Sequence, residues 1–250
     1  MKAEMGKVYL TGIPHQGTEI AFQHPESKGR YMEVAGQIDK EGLQLPNSNE
    51  IASLLYDAFQ NPKAKYESEI IGSLKSSLLW EFTGNLYLPK SNSEINNGVI
   101  LENNPDIIEG KIVMDKSSLV KRLRKNDPNV TFVPFGYKIG RQSPLVLSKN
   151  PYIVARYGEE GAEKIAEVAS KYESGPKLRS FESVDNEMIK MSYLNSDHDL
   201  GLGLCVGGDY FDAGFWDDSV RGHSFGLADK CASYVMFAGK KSRAVLFENF

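Results

Sequence analysis

Acidic residues, histidines and glycines are concentrated between positions 197 and 226 of this 250-residue chain. The stretch reads DHDLGLGLCVGGDYFDAGFWDDSVRGHSFG and holds six acidic residues and two of the four histidines. Carboxylates that lie close together repel one another, and a hard divalent cation relieves that repulsion. Imidazole nitrogens add ligands that suit zinc or manganese. The segment therefore predicts a divalent-cation site, and the candidate ligands are Asp197, Asp199, Asp209 and His223.

Two functional classes are compatible with this segment. In the first, the carboxylates serve turns and helix caps, and the protein is a non-catalytic binding or assembly module. An exposed apolar patch of Phe211, Phe215 and Trp216 would then contact the partner. In the second, the protein is a metal-dependent enzyme such as a hydrolase, with His198 as the general base. The binding module is preferred, because the sequence contains no complete catalytic constellation.

Three familiar motifs in or next to this segment are incomplete. GHSFG matches the G-x-S-x-G nucleophile elbow, but no histidine follows Ser224 and no apolar strand precedes it. The glycines that begin at Gly201 are spaced G-x-G-x-x-x-G, which is not the dinucleotide fingerprint. A calcium loop that began at Asn195 would need glycine and glutamate where Leu200 and Val206 stand. The sequence therefore indicates neither an α/β-hydrolase elbow, nor a dinucleotide site, nor an EF-hand.

The elements that must position these residues are predicted from the period of the apolar residues. Helices are predicted over 51–59 behind a cap at 47–50, over 66–82, from the cap at Asp115 to Asn126, over 159–172, and near 227–236. The helix over 159–172 is expected to bury Ala162, Ile165, Ala169 and Tyr172 against a sheet. Strands are predicted in VYLTGIP, YMEVAGQI, GNLYLP, NGVILEN, VTFVPF, PYIVARY and SRAVLFENF.

Helices and strands do not alternate regularly along the chain, and this mixture predicts an α+β fold. We expect a mixed β-sheet packed with about four helices. Residues 1–250 are expected to form a single unit. The polar run at 90–97 is the candidate boundary if that unit has two lobes.

Composition and charge limit the partners. The chain is 41% hydrophobic and 25% charged, as in an ordinary globular protein. A net charge of −4 provides no general attraction to nucleic acid or to anionic membranes. No apolar run is long enough to span a bilayer. We expect a protein or small-molecule partner and leave a homo-oligomer open.

The cysteines and the remaining histidines are read as ordinary structural residues. Cys205 and Cys231 lie in apolar surroundings and are read as reduced thiols of a cytoplasmic protein, with a bridge between them as the alternative. His15 and His24 are isolated in the sequence and are read as surface or capped histidines.

Three stretches carry a resemblance to other proteins. NSNEIASLLYDAF, LLWEFTGNLY and YIVARYGEEGAEKIAEVASKY resemble stretches of uncharacterised archaeal proteins. Together they cover less than half of the chain and contain no catalytic signature. The resemblance implies a cytoplasmic prokaryotic setting and no particular activity.

Overall fold

The computed structural model describes residues 2–5, 8–76, 78–88, 90–108, 111–138, 140–171, 178–184, 204–206, 209–211, 222–224 and 227–228. The helices in these ranges are α1 (Tyr31–Lys40), α2 (Ser48–Gln60), α3 (Lys65–Ser76), α4 (Lys116–Arg124), α5 (Pro144–Leu147) and α6 (Pro151–Lys171). The strands are β1 (Lys2–Met5), β2 (Val8–His15), β3 (Thr18–His24), β4 (Ser27–Gly29), β5 (Leu78–Leu88), β6 (Gly98–Asn103), β7 (Ile107–Ile108), β8 (Lys111–Ile112), β9 (Val130–Pro134), β10 (Gly140–Gln142), β11 (Leu178–Val184), β12 (Leu204–Val206), β13 (Asp209–Phe211), β14 (Gly222–Ser224) and β15 (Leu227–Ala228). The predicted α+β class is confirmed, and these ranges contain six helices where about four were expected.

Strand β5 is the centre of the largest sheet, which also contains β4, β6, β9, β11 and β14. Leu79 pairs with Leu178 of β11 and with His223 of β14, so these two strands lie on opposite edges of β5. Both are parallel to β5, whereas β6 is antiparallel to it. The sheet is therefore mixed, as predicted.

The described strands also form three smaller sheets. Strands β1, β2, β3 and β15 form a four-stranded sheet, in which β2 and β3 are joined by a tight turn. Gln16 and Gly17 of that turn have φ values of 47° and 73°, and positive φ at both central residues is typical of the two-residue turns that join β-hairpins. Strands β10, β12 and β13 form a three-stranded sheet, and β7 pairs only with β8 in the part of the chain that is described.

The predicted helix at 51–59 is confirmed as α2, together with its cap. The side chain of Asn47 accepts a hydrogen bond from the Glu50 amide at 3.1 Å, and the Glu50 carboxylate accepts one from the Asn47 amide at 2.8 Å. This reciprocal capping box satisfies two amides that the first turn of a helix leaves without partners. Asp115 caps α4 in a similar way, by accepting from the Ser118 amide.

Helix α6 bends at Gly158, whose φ of 73° and ψ of 167° are not helical. The predicted strand over 151–157 is wrong, because these residues form the first two turns of α6. The predicted burial of Ala162, Ile165 and Ala169 is confirmed, and Tyr172 of the predicted face lies outside the described residues. The helix packs mainly against α2 and next against α5, and the sheet contact that was expected is limited to smaller contacts with β9 and β12.

Two other boundaries differ from the prediction. Helix α3 ends at Ser76, and residues 78–82, which were predicted to be helical, belong to β5 instead. Residues 79–82 are fully buried, and a strand covered on both faces reads as a continuous apolar run. The stretch YMEVAGQI forms α1, which buries Tyr31, Val34, Ala35 and Ile38 at helical spacing.

The structure bears only in part on the predicted helix near 227–236 and on the candidate boundary at 90–97. Residues 227–228, predicted to begin a short helix, form β15 and pair with β3. Residues 90–97 form irregular backbone between β5 and β6, which are neighbours in one sheet. The division into two lobes stays a prediction. No helix in the described ranges has the length and apolar character needed to cross a membrane.

Two glycines give a matched test of how tightly the sheet is packed. A Cβ atom at Gly98 would overlap with the Val133 carbonyl and the Phe132 ring on β9, whereas Gly36 on α1 has open space around it. We expect Gly98→Ala to destabilise the protein by about 1–3 kcal/mol, because a backbone neighbour must move. Gly36→Ala should stabilise it by about 0.4–1 kcal/mol. Urea denaturation of both variants measures this, and equal effects would contradict the packing of β6 against β9.

Candidate functional site

The predicted cation site falls largely outside the described residues. Asp197, His198 and Asp199 lie there entirely. Asp209 lies on β13 and His223 on β14, so the backbone places these two candidates in different sheets. Within the ranges that are described, no group of three His, Cys, Asp or Glu side chains is arranged to hold a metal ion. The cation site stays a prediction.

The predicted apolar patch also falls largely outside the described residues. Phe215 and Trp216 lie outside the described residues. Phe211 is the last residue of β13 and pairs with Leu204 of β12. The patch as a contact surface therefore stays a prediction as well.

Ser224 of the GHSFG motif has a structural role. It lies on β14, is fully buried, and donates a hydrogen bond to the Trp80 carbonyl at 3.0 Å. A nucleophile elbow places its serine at a sharp turn between a strand and a helix, whereas Ser224 lies within β14, which pairs with β4 and β5. This geometry agrees with the exclusion of the elbow from sequence.

A buried polar cluster joins β5 to α2 and α6. We call it the Glu81 cluster, and it consists of Ser48, Glu81, Tyr152, Arg156 and Tyr157. The side chains of Glu81 and Arg156 are 0% exposed and form an ion pair. The pair links the central strand to the first half of α6, and Ser48 adds the first turn of α2.

In the Glu81 cluster, Glu81 is the shared hydrogen-bond acceptor and Arg156 is the shared donor. Glu81 Oε2 accepts from Arg156 Nη2, from Ser48 Oγ at 3.1 Å and from the Tyr157 hydroxyl at 3.1 Å. Arg156 also donates from Nε to Ser48 Oγ at 3.2 Å and from Nη1 to the Tyr152 hydroxyl at 3.1 Å. The two hydroxyls that accept from Arg156 also donate hydrogen bonds of their own. Ser48 Oγ donates to Glu81, and the Tyr152 hydroxyl donates to Asn85 Oδ1 at 2.9 Å.

The electrostatics of the Glu81 cluster follow from its burial. An ion removed from water is costly unless a counter-charge and hydrogen bonds replace the solvent. Burial, together with the nearby Glu81 carboxylate, raises the pKa of Tyr157 well above its ordinary value, so its hydroxyl remains a donor. Among the described residues Glu81 Oε1 has no hydrogen-bond partner. The cluster holds β5, α2 and α6 together through its ion pair and hydrogen bonds. Its side chains are buried and present no exposed surface to a ligand.

A second polar cluster reaches the surface. We call it the Ser53 cluster, and it consists of His15, Ser53, Glu160 and Lys164. His15 Nδ1 lies 2.9 Å from Ser53 Oγ, and Lys164 Nζ donates to the same oxygen at 3.1 Å. Lys164 also pairs with Glu160 at 2.6 Å. His15 was read as a surface or capped histidine, and the surface alternative is wrong because His15 is 3% exposed. Its partner Ser53 lies 38 residues away along the chain.

The hairpin of β7 and β8 carries exposed apolar side chains. We call it the ribbon, and its described residues are 106–108 and 111–113. Ile108 is 56% exposed and Val113 is 40% exposed. Ile112 instead packs with Tyr31, Trp80 and Phe82 in a core cluster. The ribbon is thus anchored on its inner side and apolar on its outer side.

The basic residues of α4 are partly neutralised within the chain. Arg122 pairs with Glu102 and with Asp127, and Arg124 pairs with Glu94. The pairing with Arg122 holds the pKa of Asp127 below its ordinary value. These contacts leave the two arginines of α4 paired along a helix face that is partly exposed to solvent.

No protein-family model, no curated protein and no solved structure matches this chain. The resemblance to archaeal proteins therefore stays a prediction, and the function is argued from the geometry alone.

Proposed function

We propose that this protein is a binding and assembly module, and that its ribbon docks onto the ribbon of a second copy of the chain. The observation that carries the proposal is the outward exposure of Ile108 and Val113 on a hairpin whose inner face is anchored in the core. We further propose a cytoplasmic setting with neither a nucleic acid nor a membrane as the partner.

The pairing of β7 with β8 determines which residues face outward. Ile107 stands opposite Ile112, and residues directly opposite each other share a face of an antiparallel pair. Ile112 faces the core, so Ile108 lies on the outer face. The Val113 amide donates to the Asp106 carbonyl at 3.0 Å, which extends the ladder and puts Val113 on the outer face too. Such a face is usually polar when it meets water.

A second copy is the partner that this surface fits most directly. A two-fold interface needs only one self-complementary patch, because each copy presents the same side chains to the other. Strand pairs with free edges are also ready templates for pairing with another chain. Glu81, Arg156 and Ser224 are occupied by contacts within the chain. These observations support association as the function of the exposed ribbon.

Sedimentation equilibrium of the purified protein tests this proposal. We expect a reversible dimer whose fraction rises with protein concentration. Ile108→Lys should weaken the association at least about tenfold, or about 1.4 kcal/mol, because it places a charge in the apolar contact. Leu145→Lys is the matched control, since Leu145 on α5 is 67% exposed and lies outside the ribbon. A wild-type monomer at all concentrations would refute the proposal, as would equal effects of the two substitutions.

A further inference from the structure

The Ser53 cluster brings a hydroxyl, an imidazole, an ammonium and a carboxylate into one hydrogen-bonded row. His15 ends β2 next to the hairpin turn, Ser53 lies on α2, and Lys164 and Glu160 lie one turn apart on α6. The core contact between α2 and α6 holds Ser53 and Lys164 at 3.1 Å. Three separate elements thus converge on one serine oxygen.

The ammonium of Lys164 fixes the direction of two of the contacts in the row. Hydrogen bonding to Lys164 lowers the pKa of Glu160, so Glu160 is a carboxylate and Lys164 is its ammonium partner. An ammonium only donates, so Ser53 Oγ accepts from Lys164. Ser53 Oγ also lies 2.9 Å from His15 Nδ1, a contact whose direction depends on the tautomer of the imidazole. We assign to His15 the neutral tautomer with its proton on Nε2, in which Nδ1 accepts from the serine hydroxyl. This is the arrangement of a nucleophile and its general base.

We propose that Ser53 is the nucleophile of an acyl-transfer reaction, with His15 as the general base, a carboxylic ester as the acyl donor and water as the acceptor. This activity is separate from association through the ribbon, because it uses different residues.

The position of Ser53 beneath the surface fits a covered nucleophile. The Glu160 side chain is 54% exposed and the Lys164 side chain is 14% exposed, while Ser53 is 1% exposed. The row therefore runs inward from solvent, and Ser53 lies behind the lysine. The four-carbon stem of lysine is flexible, and its rotation away from Ser53 opens the path for a small ester.

The reaction balances with the groups named. Ser53 Oγ bonds to the ester carbonyl carbon while its proton passes to His15 Nδ1. The carbon–oxygen bond to the alcohol breaks, and the departing alcohol takes the proton from His15. Water then attacks the acyl-serine, its proton passes through His15 to Ser53 Oγ, and a carboxylic acid leaves.

Fluorophosphonate labelling of the full-length protein, with mass spectrometry of the digest, tests the proposal. We expect one adduct, located on Ser53, and a labelling rate at least about 100-fold lower in His15→Gln, which removes the base. Ser224→Ala is the matched control, because Ser224 is equally buried but bonds to a carbonyl oxygen instead. It should be labelled like the wild type, provided thermal melting shows it folded.

Wild-type protein alone decides the main question, so an unstable variant does not obscure the result. An unlabelled wild type, or an adduct on a serine other than Ser53, would overturn the proposal. The hydrogen-bonded row would then have only a structural role. Labelling of Ser53 at an unchanged rate in folded His15→Gln would overturn the role of the imidazole. The oligomeric state of the protein affects neither reading.

Discussion

Replacing Glu81 by leucine is expected to lower the free energy of unfolding by about 3–5 kcal/mol. The substitution leaves the guanidinium of Arg156 buried at 0% exposure without its counter-charge. It also removes the acceptor of Ser48 Oγ and of the Tyr157 hydroxyl, and unsatisfied buried donors carry their own cost. Urea denaturation followed by circular dichroism measures the change.

A surface pair provides the matched control for this prediction. Glu94 and Arg124 also form a carboxylate–guanidinium pair, but their side chains are 71% and 61% exposed. Glu94→Leu should cost less than about 1 kcal/mol, because water replaces the lost partner. Combining Glu81→Leu with Arg156→Leu should recover part of the loss, since no unpaired charge remains. A change below about 1 kcal/mol in Glu81→Leu would contradict the account of this cluster.

Replacing Ile165 by alanine is expected to destabilise the protein by about 2–5 kcal/mol. Ile165 is 0% exposed and belongs to the core cluster that α6 shares with α2. Truncation removes buried apolar surface and leaves a cavity that packed helices cannot fully close. Thermal and urea denaturation check the magnitude.

Glu163→Ala is the control on the same helix, because Glu163 is exposed. We expect a change within about 0.5 kcal/mol, as for other exposed positions. If Ile165→Ala falls in that range too, the packing of α6 against α2 is not as described.

Local signals predicted some elements well. The cap at Asn47 and Glu50 acts within four residues, so the sequence reveals the start of α2 directly. The start of β5 was misread because its apolar run is compatible with helical spacing as well as with a buried strand. The first half of α6 was misread because Gly158 interrupts the helix. The stretch before Gly158 is too short for its apolar residues to show the helical period clearly.

The two polar clusters depend on contacts that a sequence does not display. Glu81 and Arg156 each stand as a lone charge within an apolar stretch, LLWEF and YIVARY, and this is a usable signal for buried charge. Their pairing spans 75 residues, and only the fold supplies it. His15 and Ser53 are 38 residues apart, so the histidine looked isolated along the chain.

Amide hydrogen exchange at increasing protein concentration tests the proposed assembly most directly. We expect residues 106–113 to become more protected as the concentration rises, because the ribbon is covered in the dimer. Residues 144–147 of α5, which also carry exposed apolar side chains, should exchange at the same rate throughout. Exchange in 106–113 that does not change with concentration would contradict the proposal that this protein assembles through its ribbon.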